Sequence, residues 1–368
     1  MTLPALTREL VATPSHDDET AVGDRIESWL RAETDATVRR DDVGNVFARR
    51  GASSGPQLAL VGHHDVVPPD PSQVDGDAYA VEERDGRLYG RGTADMKGAV
   101  AAMMLAFRDA EPARAGANDP GGLVFASFVG EEIGGVGARH AIDEGFAPDY
   151  AVVGEGSTNY SRPDVTDVVV AHKGRRGSTI AARGAAAHAS EPEAGENAIY
   201  LAADVVADVR DLAFPSVEIG AAGETLAGSI AVTEIDGGAG MNVIPERCDL
   251  TIDERTVPGE RAPLDRVADR DGVEWTVDQD LPPMRCGDAE FAETVREAAD
   301  DVQEGTPTLT IKPHATDAGW LADRAGTDCV VVGPSEPGEA HTADESVSLE
   351  VLDRCRAIYR ELAERWPA

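Results

Sequence analysis

The chain has 368 residues, 42% hydrophobic and 27% charged, and its 33 lysines and arginines against 68 acidic residues leave a formal net charge of −35. The apolar share excludes a disordered chain, and the charge excludes nucleic acid and anionic membranes as partners, since both would be repelled. The acids run along the whole chain and lysine is scarce beside arginine, the pattern of an acidic coat adapted to concentrated salt.

At this length two domains are expected. The start "MTLPALTREL" lacks a charged segment followed by an apolar one, and no apolar run approaches membrane-spanning length, so a soluble, cytoplasmic protein is expected. Residues 3–12 and 19–32 read as amphipathic helices, the second with Val22, Ile26, Trp29 and Leu30 at helical spacing. Short apolar runs come next: "QLALVG" (57–62), "GGLVFASFVG" (121–130), "DYAVVG" (149–154) and, much later, "DCVVVG" (328–333). They read as buried central strands, with helices at 96–110 and 288–303 between them and a closing helix at 346–366. Together they predict an α/β fold, a mixed and mostly parallel sheet flanked by helices, with 111–122 as a loose surface loop.

From 176 to 285 the rhythm changes. A strand "STIAARG", a long helix near 194–212, and strands "GSIAVTEI" and "CDLTIDERTV" predict an inserted α+β domain, leaving 1–175 and 286–368 for the main one. Cys248, Cys286, Cys329 and Cys355 lie far apart with no C-x-x-C pair, which argues against a zinc knuckle or a disulfide framework and fits a reducing compartment.

Each strand-like run leads into chemically useful residues. The first runs into His63, His64 and Asp65, the second into Glu131 and Glu132, the third into Glu155, and the fourth into His341. In an open α/β sheet, ligands bind at the carboxyl ends of the strands, where these side chains would converge. Singly, each has an ordinary explanation: a hydrogen-bonded loop histidine, a solvated glutamate pair, or, for Asp95 ahead of "MKGAVAAMMLAF", a helix N-cap. Jointly, two imidazoles and three or four carboxylates suit a two-metal hydrolase site in which one carboxylate bridges the ions.

The blocks "GHHDVVPP" (62–69), "LYGRGTADMKGAVAAM" (88–103), "GEE" (130–132), "VVGEG" (152–156), "HKGRRGS" (172–178), "NVIP" (242–245), "TDAGWLA" (316–322) and "AHTADE" (340–345) occur in order over nearly the whole chain. In this the chain resembles the zinc-dependent amidohydrolases that include succinyl-diaminopimelate desuccinylase and acetylornithine deacetylase. The resemblance implies two Zn2+, with Co2+ or Mn2+ as substitutes: one ion held by His63, Asp95 and Glu155, the other by Asp95, Glu132 and His341. It implies that Asp65 orients His63, that Glu131 is the general base, and that His64 is structural. His188 in "GAAAHASEP" matches a histidine of the lid domain that steadies the oxyanion, often across a dimer interface; a plain surface histidine is the alternative. One departure is "GEGS", where relatives commonly carry proline and this chain has Gly156, expected only to loosen the turn after Glu155.

The resemblance also makes 176–285 a lid and dimerisation domain and the protein a homodimer. Ile199, Leu201, Val205, Val206 and Val209 on the lid helix either serve that interface or pack inside their own domain. An N-acyl amino acid with extra carboxylates needs fixed cations, and "HKGRRGS" offers Lys173, Arg175 and Arg176. The resemblance places Arg176, Asn242 and Arg255 near the substrate carboxylates and has Thr316 and Asp317 close the pocket, while Arg175 could equally pair with the acidic surface. "KGRRGS" and "GHHDVVPP" are similar to the desuccinylase that acts on N-succinyl-LL-2,6-diaminopimelate. "AHKG" and "HASEPEAGENAI" are more similar to acetylornithine deacetylase or to hydrolases that free lysine or ornithine from a carrier protein. A dipeptidase or aminoacylase comes next. A non-catalytic binding protein on this scaffold should have lost the base or a ligand, and none is missing.

Overall fold

The computed structural model describes residues 1–52, 54–111 and 121–366. Of the loop expected at 111–122, residues 112–120 lie outside the described residues.

The four apolar runs form adjacent parallel strands in the order Gly122–Phe128, Gln57–His63, Tyr150–Val153, Asp328–Val331. All residues of Gln57–His63 and Gly122–Phe128 are buried, because helices cover both faces. The side-chain period of two divides each strand between two cores. Leu58, Leu60, Leu123 and Phe125 pack with the helices Leu3–Val11, Thr20–Glu33, Gly98–Asp109, Ala289–Asp300 and Leu349–Arg365. Ala59, Val61, Val124 and Ala126 pack with Val136–Asp143 and Asp317–Trp320. Each fully buried leucine contributes about 2 kcal/mol, so a register slip, which would exchange the two faces, is strongly opposed.

Strands not foreseen extend the sheet on both sides. Val46–Gly51 and Thr37–Arg40 join antiparallel at one side, and Val168–His172, Leu309–Lys312 and Met284–Arg285 lie at the other. "TVRR" and "VFARRG" carry too much charge to read as core strands, and they sit where one edge meets solvent. The last predicted element divides into a strand, Ser346–Ser348, and the helix Leu349–Arg365, capped by the Ser348 hydroxyl.

The smaller unit is a four-stranded antiparallel sheet in the order Ser229–Gly237, Arg247–Thr256, Gly174–Arg183, Val273–Leu281. One helix, Ala198–Asp211, covers it. That helix starts later than expected, at the Asn197 cap, and its Ala198, Ala202, Val205 and Val209 are buried against Ile180, Leu250 and Ile252. Leu201 and Val206 are partly buried in the same cluster. The apolar stripe therefore packs mostly inside its own unit, with Ile199 outward. Among the described residues no helix is long and apolar enough to cross a membrane.

Candidate metal centre

Register decides which side chains meet. Val61 lies beside Val153 on one side and Ala126 on the other, and Val153 lies beside Val331, so the parallel strands end at one level. His63 is the last residue of its strand, Glu131 and Glu132 come three and four positions after Phe128, and Glu155 comes two after Val153. All four open onto the same crevice.

Asp95 reaches it differently. It lies in the turn Thr93–Lys97, with extended dihedrals (φ −131°, ψ 96°), and the next helix takes Lys97 as its N-cap. The capping alternative fails, because Lys97 holds the cap position of the next helix and the Asp95 carboxylate faces two imidazoles. Oδ1 lies 3.1 Å from His63 Nε2 and Oδ2 lies 3.2 Å from His341 Nε2. His63 Nε2 is also 3.4 Å from Glu155 Oε1, and His341 Nε2 is 3.0 Å from Glu132 Oε1. His341 is held at φ 65°, in the left-handed region that histidine enters more readily than most side chains.

Two anchors hold this arrangement. The Asp65 carboxylate lies 3.3 Å from His63 Nδ1 and accepts the backbone N–H groups of Glu131 (3.1 Å) and Glu132 (3.0 Å), tying the first strand end to the second. Glu345, fully buried, accepts the N–H groups of Gly92 (2.9 Å), Ala94 (3.0 Å) and Asp95 (3.2 Å) on one oxygen and the Arg91 guanidinium (2.5 Å) on the other. Glu345 lies four residues beyond His341, so the Asp95 turn and the His341 loop are clasped together.

The electrostatics are those of a surplus of carboxylate. Burial pushes Glu131 well above the usual range, and the charges of Asp317, Glu155 and Glu132 push it further, against the pull of His63. Burial raises Asp317 to about 7, and neither of its carboxylate oxygens has a hydrogen-bond partner. Burial works against a charged His63, but its contacts with Asp65, Asp95 and Glu155 outweigh it and hold the imidazole well above its usual value. Possible ligand atoms of His63, Asp95 and Glu132 lie within 4.8 Å of one another, as do those of His63, Glu131 and Glu155. Imidazole nitrogen with several carboxylate oxygens and unneutralised negative charge is a donor set that fits divalent cations.

The other expected residues are less gathered. Thr316 is buried, caps the helix Asp317–Trp320 and lies 3.1 Å from His172 Nε2. His64 is buried against the Ser127 hydroxyl, and burial lowers it to about 3, as suits a structural residue. Arg176 is buried, its guanidinium paired with Glu254 (2.5 Å) and near the Trp275 ring, and it is not among the residues that line the cleft within this chain. Arg175 pairs with Asp253, as the alternative for it held, and Arg255 pairs with the same aspartate. His188 is exposed on a two-stranded ribbon with Val243–Ile244, bonded to Ser190, and Asn242, also exposed, accepts the Ala189 N–H. Neither lines the cleft within this chain. Gly156 is a correction. A Cβ there would lie 2.6 Å from the Ser335 carbonyl oxygen, so the glycine permits close packing and does not merely loosen a turn.

The cleft, of about 260 Å³, is also lined by side chains that sequence reasoning passed over, among them Tyr160, Lys312, His314 and Glu336. Lys312 ends the strand Leu309–Lys312, which is parallel to Val168–His172 and so runs opposite to the central strands, out of reach of the rule that singled out His63.

A profile of peptidase family M20/M25/M40 matches residues 59–365. The chain is 31% identical over 347 residues to a succinyl-diaminopimelate desuccinylase of Xanthomonas oryzae pv. oryzae, covering 89% of this chain and 88% of that one. It is 30% identical over 389 residues to an acetylornithine deacetylase of Myxococcus xanthus, covering 97% and 96%. Among solved structures, a dinuclear metal-binding peptidase of Bacillus subtilis superposes with a TM-score of 0.70 at 17% identity, over 98% of this chain and 96% of that one.

Proposed function

The chain belongs to peptidase family M20/M25/M40, a family of hydrolases acting on linear amides, and from that premise we propose that it hydrolyses the amide of an N-acyl amino acid, with N-succinyl-LL-2,6-diaminopimelate as the favoured substrate. The observation that carries this reading is the convergence of His63, Asp95, Glu131, Glu132, Glu155 and His341 at one sheet edge.

In this reading His63, Asp95 and Glu155 would hold one zinc ion, and Asp95, Glu132 and His341 would hold the other. When bound, such ions supply positive charge that polarises an amide carbonyl and makes water more acidic. The rest falls to side chains. Glu131 lines the cleft beside the candidate ligands, where its carboxylate would take a proton from the attacking water and return it to the leaving amine nitrogen. Asp65 keeps His63 oriented and fixes the Glu131–Glu132 backbone. His188 is exposed on the smaller unit, and we assign it the oxyanion contact in a partner's cleft, with 176–285 as the lid through which a homodimer forms. Arg255 and Asn242 at the lid would meet the substrate's far end. The charge of −35 supports work in concentrated salt, and four free cysteines support a cytoplasmic setting.

The test is amide hydrolysis by zinc-loaded protein in concentrated KCl, comparing N-succinyl-LL-diaminopimelate with N-acetylornithine. Chelator-sensitive turnover that favours the succinylated substrate and vanishes in Glu131→Gln is the expected result. Preference for N-acetylornithine would move the assignment to the deacetylase, for which the Myxococcus relative speaks. No hydrolysis of either, nor of dipeptides, would overturn it.

A further inference from the structure

Lys312 is almost completely buried, yet it lines the cleft beside Glu155. An ammonium taken out of water is costly unless its three donors are satisfied. Among the described residues its Nζ has one acceptor, Glu155 Oε2, at 3.4 Å, longer than the roughly 2.7–2.9 Å of a good charge-assisted bond. The same wall carries His314, exposed to solvent. Among the described residues that line the cleft, Lys312 is the one lysine or arginine, set against several carboxylates. With a single long contact to Glu155, Lys312 Nζ keeps spare donors where it faces the cleft.

We infer that Lys312 is the recognition cation for a carboxylate of the substrate, with Tyr160 and His314 beside it. This rests on the amide-hydrolase reading above and adds to it that the substrate carries a free carboxylate within reach of the scissile amide. Two carboxylates have the right chemistry, the α-carboxylate of the amino acid and the terminal carboxylate of a dicarboxylic acyl chain.

The experiment is calorimetric binding to ion-loaded protein carrying Glu131→Gln, so that probes are not consumed, with and without Lys312→Met. The probes are N-acetyl-L-alanine (α-carboxylate only), N-succinyl-L-alaninamide (acyl carboxylate only) and N-acetyl-L-alaninamide (neither), and metal content is measured on the same samples. The expected result is that Lys312→Met weakens a carboxylate probe about 10- to 100-fold and leaves the neutral probe and the metal content unchanged. The probe that suffers identifies which carboxylate is read. Lys312→Gln, smaller in its demand on packing, should show the same selective loss. Equal weakening of all three probes, loss of metal, or no preference for carboxylate in the parent would each overturn the inference. Hydrolysis is measured separately on the chain with Glu131 intact, so a failed hydrolase reading is distinguishable from a failed Lys312 assignment.

Discussion

Replacing Glu345 should loosen the whole centre although it faces no cleft. Its carboxylate is the shared acceptor for three backbone N–H groups of the Asp95 turn and for Arg91, all buried. Glu345→Ala leaves a guanidinium without its anion, and breaking a buried pair from one side costs about 3–5 kcal/mol. Glu345→Gln keeps the shape and an acceptor oxygen for the N–H groups but loses the charge, so its cost should fall below that of alanine. Arg91→Met combined with Glu345→Gln removes both charges and should cost less than the sum of the singles, with a coupling of about 1–3 kcal/mol. The measurements belong at pH 8, above the value of about 7 to which burial, followed by the Asp95 charge, raises the Glu345 carboxyl. Denaturant unfolding gives the energies. Hydrogen exchange at Gly92, Ala94 and Asp95 gives the local effect, expected to accelerate by at least about 100-fold in Glu345→Ala, since about 1.4 kcal/mol is a factor of ten. Additivity within about 0.5 kcal/mol, or unchanged exchange at those amides, would refute the clasp.

Asp65→Asn exchanges an acceptor oxygen for a donor facing the Glu131 and Glu132 N–H groups or His63, and should cost about 1–3 kcal/mol in stability and about 10- to 100-fold in metal affinity, read by denaturant and metal titration; an unaltered titration would remove its orienting role. Chelated protein should lose stability as pH rises. His341 is raised to about 10 by Asp95 and Glu132 from an ordinary 6.5, so its contribution is complete below 6.5 and lost through 10. Asp317, raised by burial from 3.8 to about 7, retains a proton that the unfolded chain has released, so its share is lost between those values. A chelated protein that gained stability between about pH 6.5 and 9 in thermal melts would contradict this. Saturating divalent ion at about 100 times its Kd should add about 2.7 kcal/mol, and absence of any rise in melting temperature would argue against a metal centre. Gly156→Ala should destabilise by about 1–3 kcal/mol through its contact with the Ser335 carbonyl, and a neutral result would restore the loosened-turn view.

The order of residues alone determined the central strands and the side chains placed at their ends. Runs such as "QLALVG" and "DYAVVG" are too short and too continuously apolar for amphipathic helices, and a strand buried on both faces must end in a crevice, which predicts that His63, Glu131, Glu132 and Glu155 meet. The smaller unit was legible as an inserted α+β segment, but Val273–Leu281 was not read as one of its strands, because Glu274, Asp278 and Asp280 mask its alternation. Charged edge strands such as Thr37–Arg40 escaped for the same reason: an edge tolerates polar residues that a central strand does not.

Tertiary structure decided what sequence pattern could not. Asp95 stands where a cap would stand, and only the tertiary structure, with Lys97 at the cap and the Asp95 carboxylate between two imidazoles, shows that it is none. Arg176 lies in a block that suggests substrate recognition, but partner choice depends on which acid crosses from the neighbouring strand, and that acid is Glu254, its direct register partner. Lys312 and Glu345 gain their meaning from contacts 157 and 250 or more residues away. Local sequence sets propensity and period, which act over a few residues, whereas the pairing of buried charges is settled only when distant segments share a low-dielectric interior and each ion must find its counterpart there.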